Sequence, residues 1–242
     1  MGIRMPRKKK RVFALSLLYR IDRLLPFSTE RRLKWYLDLE WIFDRLAMET
    51  SFRHFPAEAH PHRLSANAFL LRRLEPRMHV LDLGCGSGDI TAMIAAHVDR
   101  VVGVDHDRVA VARAAQRHQR VNLTFVDRDA MTFLQQEEQR FDTLVLSHVL
   151  EHLDGPEEFL QRFRGFFQWI YIEVPDFDKT YLNHYRQLLG STLIHTDDDH
   201  VSEFDREELN AMLQRVGLEV VDAEYRFGVQ RLWCRGGRSS GS

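Results

Sequence analysis

The chain predicts an α/β protein, a mostly parallel seven-stranded sheet covered by helices on both faces and preceded by a helical extension. Three observations predict it. Strands and helices alternate from His79 onward, several of the strands are apolar throughout, and a glycine-rich turn joins the first strand directly to a helix.

Taken in order, residues 12–50 and 63–75 carry Leu, Ile, Trp and Phe at three-to-four spacing and read as helices. The stretch "HFPAEAHPHR" between them reads as a loop punctuated by Pro56 and Pro61. From there "HVLDLGC" is a strand and "DITAMIAAHV" a helix. "RVVGVDH" is a strand, "RVAVARAAQRHQ" a helix and "NLTFVDRD" a strand. A weaker helix precedes the strand "FDTLVLS"; "PEEFLQRFRGF" is a helix and "WIYIEVP" a strand. Residues 175–204 form an irregular stretch, longer than the usual connection, which suits a lid or substrate cap. "REELNAMLQRVG" is a helix that Gly217 stops, and "LEVVDAEYRFG" and "VQRLWCRG" close the sheet as a pair. The expected organisation is an extension over 1–62, a main domain over 63–235 and a disordered tail over 236–242.

Composition narrows the function. The 242 residues are 44% hydrophobic and 29% charged with a formal net charge of -1, a balance that argues against wholesale nucleic-acid binding. Two cysteines, Cys85 and Cys234, are too few for a disulfide framework and fit a reducing compartment. The basic start followed by "VFALSLLY" lacks a small-residue cleavage site, and no apolar run approaches the roughly 20 residues of a membrane span, so a cytoplasmic protein is expected. Charge is nonetheless uneven: Arg4, Arg7, Lys8, Lys9, Lys10 and Arg11 precede any acidic residue. Phe13, Leu17, Ile21, Leu24 and Leu25 follow at near-helical spacing. Residues 1–25 therefore read either as a peripheral contact with an anionic membrane face or as a helix packed on the protein's own core.

The most informative stretch is "VLDLGCGSGDIT", where a strand ends in Gly84-x-Gly86-x-Gly88 and a helix begins at once. Such glycines permit a tight turn and let a ligand lie against the backbone. Asp105 ends the next strand, where a carboxylate can accept both hydroxyls of a ribose. A dinucleotide site places its third glycine one position later, where this chain has Asp89, and it must cradle a pyrophosphate. Here Asp82 and Asp89 flank the turn with no Lys or Arg between them. That field suits a ligand with cationic groups and no phosphate, such as S-adenosylmethionine, over NAD.

Residues 79–235 resemble a class I, seven-stranded, Rossmann-like S-adenosylmethionine-dependent methyltransferase of the small-molecule or glycan type. "VLDLGCGSG", "VVGVDHD", "FVDRDAMTF" and "FDTLVLSHVLEHL" resemble that family's four motifs in order. The resemblance implies that Gly84, Cys85, Gly86 and Gly88 lie under the methionine moiety and that Asp82 supports its ammonium through the turn. It implies that Asp105, with His106 beside it, takes the ribose. Asp129 and the Ala130 amide take the adenine, with Asp127 as the competing acid, and Ser147 and His148 face the donor pocket.

His148-Val-Leu-Glu151-His152 also spells H-x-x-E-H, a zinc-protease signature. Such a site needs both histidines on a sustained helix, and Asp154-Gly155-Pro156 allows none, so no zinc protease is expected. A divalent ion at the cap cluster His195, Asp197, Asp198, Asp199 and His200 is the lesser alternative to a solvated turn, and no metal site is assigned. The candidate catalytic residues are His148, His200 and His195, the last two in the cap beside Asp197, Asp198 and Asp199. The expected acceptor is a small-molecule hydroxyl on a sugar, a glycan precursor (one version of it lipid-linked) or a related metabolite. C-methylation of a quinone or lipid stays open, as does a non-catalytic binding module. Nucleic-acid methylation is disfavoured because Ser147-His148-Val149-Leu150 stands where an Asn/Asp-Pro-Pro-aromatic motif would.

Overall fold

The structure is a computed structural model that describes residues 13–136, 140–194 and 199–237. It opens with α1 (Phe13–Leu24) and α2 (Thr29–His54). The single helix expected over 12–50 is therefore two. Pro26 offers no backbone donor, and Ser28 accepts from the Arg31 amide at 3.2 Å to cap the new helix. Asp22 ties α1 to α2, accepting from the Tyr36 hydroxyl at 2.6 Å and pairing with Arg32 at 2.8 Å, yet no residue of α1 is buried. A 3-10 turn over Ala57–Ala59 leads to α3 (Pro61–Leu71), which starts earlier than expected because proline is well suited to a first helical turn.

Alternation then proceeds as expected: β1 (His79–Leu83), α4 (Asp89–Ile94), β2 (Arg100–Asp105), α5 (Arg108–Arg117), β3 (Leu123–Asp127), α6 (Ala130–Gln136), β4 (Thr143–Ser147), α7 (Pro156–Phe163) and β5 (Trp169–Pro175). After α8 (Leu182–Leu188) and α9 (Arg206–Arg215), β6 (Glu219–Arg226) and β7 (Val229–Arg235) complete seven strands. Helix α9 stops where expected, with Gly217 at φ 70° and the Leu218 amide returning to the Leu213 carbonyl.

The strand order is β3-β2-β1-β4-β5-β7-β6, parallel except for β7, which runs antiparallel to both β5 and β6. Successive residues point to opposite faces, so Leu144 and Leu146 join one apolar cluster with Ile170 and Ile172. Val145 joins another with Phe69, Tyr171 and Trp233. Covering both faces explains why the strands read as unbroken apolar runs. Strand order reverses at β1 and β4, and the carboxyl ends there form the crevice in which open α/β sheets bind ligands.

The expected irregular stretch 175–204 contains α8, which fastens the cap to the extension. Arg186, buried in α8, donates to the Leu37 carbonyl of α2 at 2.7 Å and to Asn183 at 2.8 Å, and pairs with Glu40. Lys179–Asp44 at 2.7 Å and Ser191–Asp38 at 3.2 Å add to the same seam. Helix α2 is thus part of the cap's own packing.

Candidate active site

The turn after β1 places Gly84, Gly86 and Gly88 at φ 73°, 48° and 74°, a region that L side chains rarely adopt. Their surroundings differ. A Cβ at Gly88 would strike the Phe125 ring at 2.5 Å, so this glycine lets α4 pack on β3. A Cβ at Gly86 would meet nothing within 4 Å, so the open side of the turn lies there. Cys85, by contrast, turns its sulfur toward Gly103, and only its backbone is placed to serve a ligand.

Asp105 anchors this cradle. One carboxylate oxygen accepts from the Gly86 amide and the other from the Asp107 amide, both at 2.9 Å, which aims its remaining lone pairs outward. His106 stands fully exposed beside it. Asp129 accepts from the Thr132 amide and hydroxyl, both at 2.9 Å, and these bonds hold its carboxyl below the usual range. It therefore stays charged next to half-buried Ala130, while Asp127 lies 3.8 Å from Arg108. Asp82 is buried and accepts from the Thr91 hydroxyl at 2.6 Å, joining β1 to α4. Burial pushes its carboxyl up to about 7 against the opposing effect of that hydroxyl. A glycine cradle, an acid fixed at the end of β2 and a largely acidic surround fit S-adenosylmethionine, which carries two cationic groups and no phosphate.

The chain leaves β4 through His148, held at φ 55°, a strained conformation for a non-glycine residue and one that recurs at functional sites. A single 3-10 turn over Leu150–His152 follows, too short to hold two histidines on one helical face. The His148 ring lies 2.9 Å from Glu151 and 3.3 Å from Glu173. Burial opposes its charging, but the two carboxylates outweigh that and raise it to about 10, which favours the imidazolium. Glu173 is held at about 2: burial raises it, while His148 first, then Arg231 and the Tyr171 hydroxyl, lower it further. Ser147 completes the group, its hydroxyl donating to Glu173 at 3.3 Å.

Beside this exit lies a cavity of about 430 Å³. Met48, Phe52, Phe55 and Phe227 supply apolar wall, and His60, His62, His148 and His200 supply imidazoles. Two of the expected catalytic residues, His148 and His200, are brought together here; His195 lies outside the described residues. His200 donates or accepts at Nδ1 with Glu203 at 2.9 Å. The sequence reading missed His60 and His62, whose signal was the pair flanking Pro61. Burial lowers His62 to about 4, so it is uncharged at neutral pH. Phe227 was missed too; with Gly228 it forms the β6–β7 turn at φ 56° and 76°, as two-residue hairpins require.

This strand order with a reversed β7, the glycine cradle at β1 and the acid at β2 define a class I S-adenosylmethionine-dependent methyltransferase. The chain belongs to the family described as "Methyltransferase domain", whose sequence profile matches residues 52–223. A ubiquinone biosynthesis O-methyltransferase from Coxiella burnetii is 33% identical over 85 residues, 34% of this chain and 36% of that protein. A ribosomal protein L11 methyltransferase from Thermosipho africanus is 40% identical over 93 residues, covering 38% and 35%. The chain thus spans about a third of the length of these curated relatives. Among solved structures, magnesium protoporphyrin IX methyltransferase from Synechocystis with bound SAH matches with a TM-score of 0.54 at 22% identity. That match covers 72% of this chain and 81% of that one, and establishes shared fold.

Asp82 gives a pH test. Its folded value lies above the ordinary 3.8, so its contribution to stability is fully present below about 3.8 and is lost as pH rises through about 7. Asp82→Asn removes this titration. Denaturant unfolding of the ligand-free proteins is expected to show the wild type losing ground to the variant between about pH 4 and 8; a constant difference across that range would contradict the assignment.

Proposed function

We propose that this chain transfers the methyl group of S-adenosylmethionine to a hydroxyl on a small molecule with an apolar body. The observation that carries this reading is the cavity beside the donor crevice: its wall is mainly aromatic and aliphatic, and its polar lining is four imidazoles together with Arg45, Ser51 and Lys179. An apolar wall favours an aromatic or lipid-like acceptor over a free sugar. A hydroxyl is a weak nucleophile until its proton is drawn off, which gives the histidines a task that an already nucleophilic neutral amine needs less.

When bound, the cofactor supplies an electrophilic methyl on sulfur. Gly84, Gly86, Gly88 and Asp105 would hold it, with Asp129 at the adenine end. His148, charged and braced by two carboxylates, orients the acceptor. Uncharged His62 is the imidazole left to accept the proton. The acceptor oxygen would take the methyl from the bound donor, which keeps the carbon–sulfur electron pair, and His62 would take the hydroxyl proton to solvent. Alignment supplies much of the rate in such an in-line displacement.

The direct test is transfer of labelled methyl into cell extract, separated into organic-soluble, aqueous small-molecule, nucleic-acid and protein fractions. Base-stable label in the organic-soluble fraction, released as a methyl ether fragment, supports the proposal. Label confined to free sugars, nucleic acid or protein would overturn it.

The extension supports a membrane setting for such an acceptor. Residues 1–25 hold eight Lys or Arg against one acid, while the whole chain is at -1. Phe13, Leu17, Leu18, Tyr19 and Leu24 of α1 are exposed, as are Leu39, Phe43 and Leu46 of α2. Among the described residues no helix is long and apolar enough to cross a bilayer. Basic charge beside an apolar face complements an anionic lipid surface. The full chain should sediment with vesicles containing phosphatidylglycerol and not with pure phosphatidylcholine, and Leu17→Glu with Leu18→Glu should abolish this. Binding equal on both vesicles, or untouched by the substitutions, would refute it.

A further inference from the structure

The H-x-x-E-H segment cannot make a protease helix, yet the fold brings its last two residues against His200 from the cap. One ligand atom from each of Glu151, His152 and His200 lies within 4.8 Å of the others. The rings of His152 and His200 meet edge to face at 4.9 Å. The juxtaposition is held from the backbone, because the Val201 and Ser202 amides both donate to the Glu151 carbonyl.

Two further features point to a ligand. Glu151 is fully buried, and while one carboxylate oxygen meets His148 at 2.9 Å, Oε2 has no hydrogen-bond partner. A buried carboxylate oxygen without a donor is costly, and a cation is the simplest group that would satisfy it. His200, itself 5% exposed, is fixed at Nδ1 by Glu203. That carboxylate-to-imidazole brace is how metal-ligating histidines are commonly oriented, leaving the other ring nitrogen to bind.

We propose that Glu151, His152 and His200 form a site for one divalent transition-metal ion of the zinc class, with an open coordination position toward the histidine cavity. Two imidazoles and one carboxylate suit zinc, cobalt or manganese better than magnesium or calcium, which seek an all-oxygen shell. Three protein ligands leave the fourth position for an exchangeable oxygen. Because His200 also lines the cavity, that oxygen can be the acceptor hydroxyl. The ion would lower the hydroxyl's pKa, so that even a weak base such as His62 could take the proton. This last role rests on the O-methylation reading; the binding site does not.

The test separates the two. The full chain, stripped with a chelator, is titrated with Zn²⁺ by calorimetry and with Co²⁺ by its visible absorption, with Mg²⁺ in parallel. One equivalent of Zn²⁺ is expected, with a Co²⁺ spectrum that Zn²⁺ displaces. His152→Ala and His200→Ala should each weaken binding at least about tenfold. His184→Ala, outside the cluster, should not, and unchanged S-adenosylmethionine affinity would show that the variants are folded. No saturable binding of either ion, a site that takes only Mg²⁺, or affinity unmoved in both cluster variants would overturn the proposal. Zinc binding without any organic-soluble methylated product would leave the site standing and remove the O-methylation reading.

Discussion

One buried carboxylate, Glu173, joins the sheet to the site. From β5 it accepts from the Arg231 guanidinium of β7, from the Tyr171 hydroxyl at 2.8 Å and from Ser147, and it pairs with His148. Arg231 is itself fully buried and reaches Glu224 at 2.9 Å and Ser65 of α3 at 3.3 Å. Its backbone takes part as well: the His148 amide donates to the Glu173 carbonyl at 2.9 Å. A charge this deep is tolerated only when its partners are in place, so the antiparallel edge strand, the exit of β4 and the first helix of the domain are tied to one group. The strained His148 backbone is kept by the same arrangement.

The donor side depends on a different economy of charge. The crevice at β1 and β2 carries Asp82 and Asp89, which accept from the Thr91 and Ser87 hydroxyls, and Asp105 and Asp129, which accept from backbone amides, so acids that could repel one another serve as turn and cap partners first. What they leave is a largely acidic surround to an open glycine turn, which favours a sulfonium nucleoside over a pyrophosphate. The acceptor side is built from elsewhere: α2, the turn before α3, the cap and the β6–β7 hairpin. One fold thus holds a donor site set by local sequence and an acceptor site set by distant segments.

This division explains what could be read from the chain. The seven strands, their alternation with helices, the glycine turn and Asp105 are encoded in contiguous stretches, and each was legible. Pro26 was a local signal for the break between α1 and α2 that the periodicity of Leu, Trp and Phe masked. Arg186 offered nothing to separate it from a surface arginine, because its partners Leu37 and Glu40 are about 150 positions away in the chain. His148 stood out in the sequence, but its pairing with Glu173 from the next strand was not legible. The same holds for His152 and His200, which meet only once the cap folds back on β4.

The measurement closest to the centre of this account is the stability of Glu173→Gln, which keeps the side chain's shape and removes only its charge. Loss of the anion leaves buried Arg231 with the Glu224 carboxylate alone and His148 with that of Glu151 alone. Denaturant unfolding at neutral pH should show a loss of about 3 kcal/mol or more, the scale expected when one partner of a buried ion pair is removed. A change of less than about 0.5 kcal/mol, within the range of an ordinary surface substitution, would contradict the claim that this carboxylate holds the sheet edge and the site together.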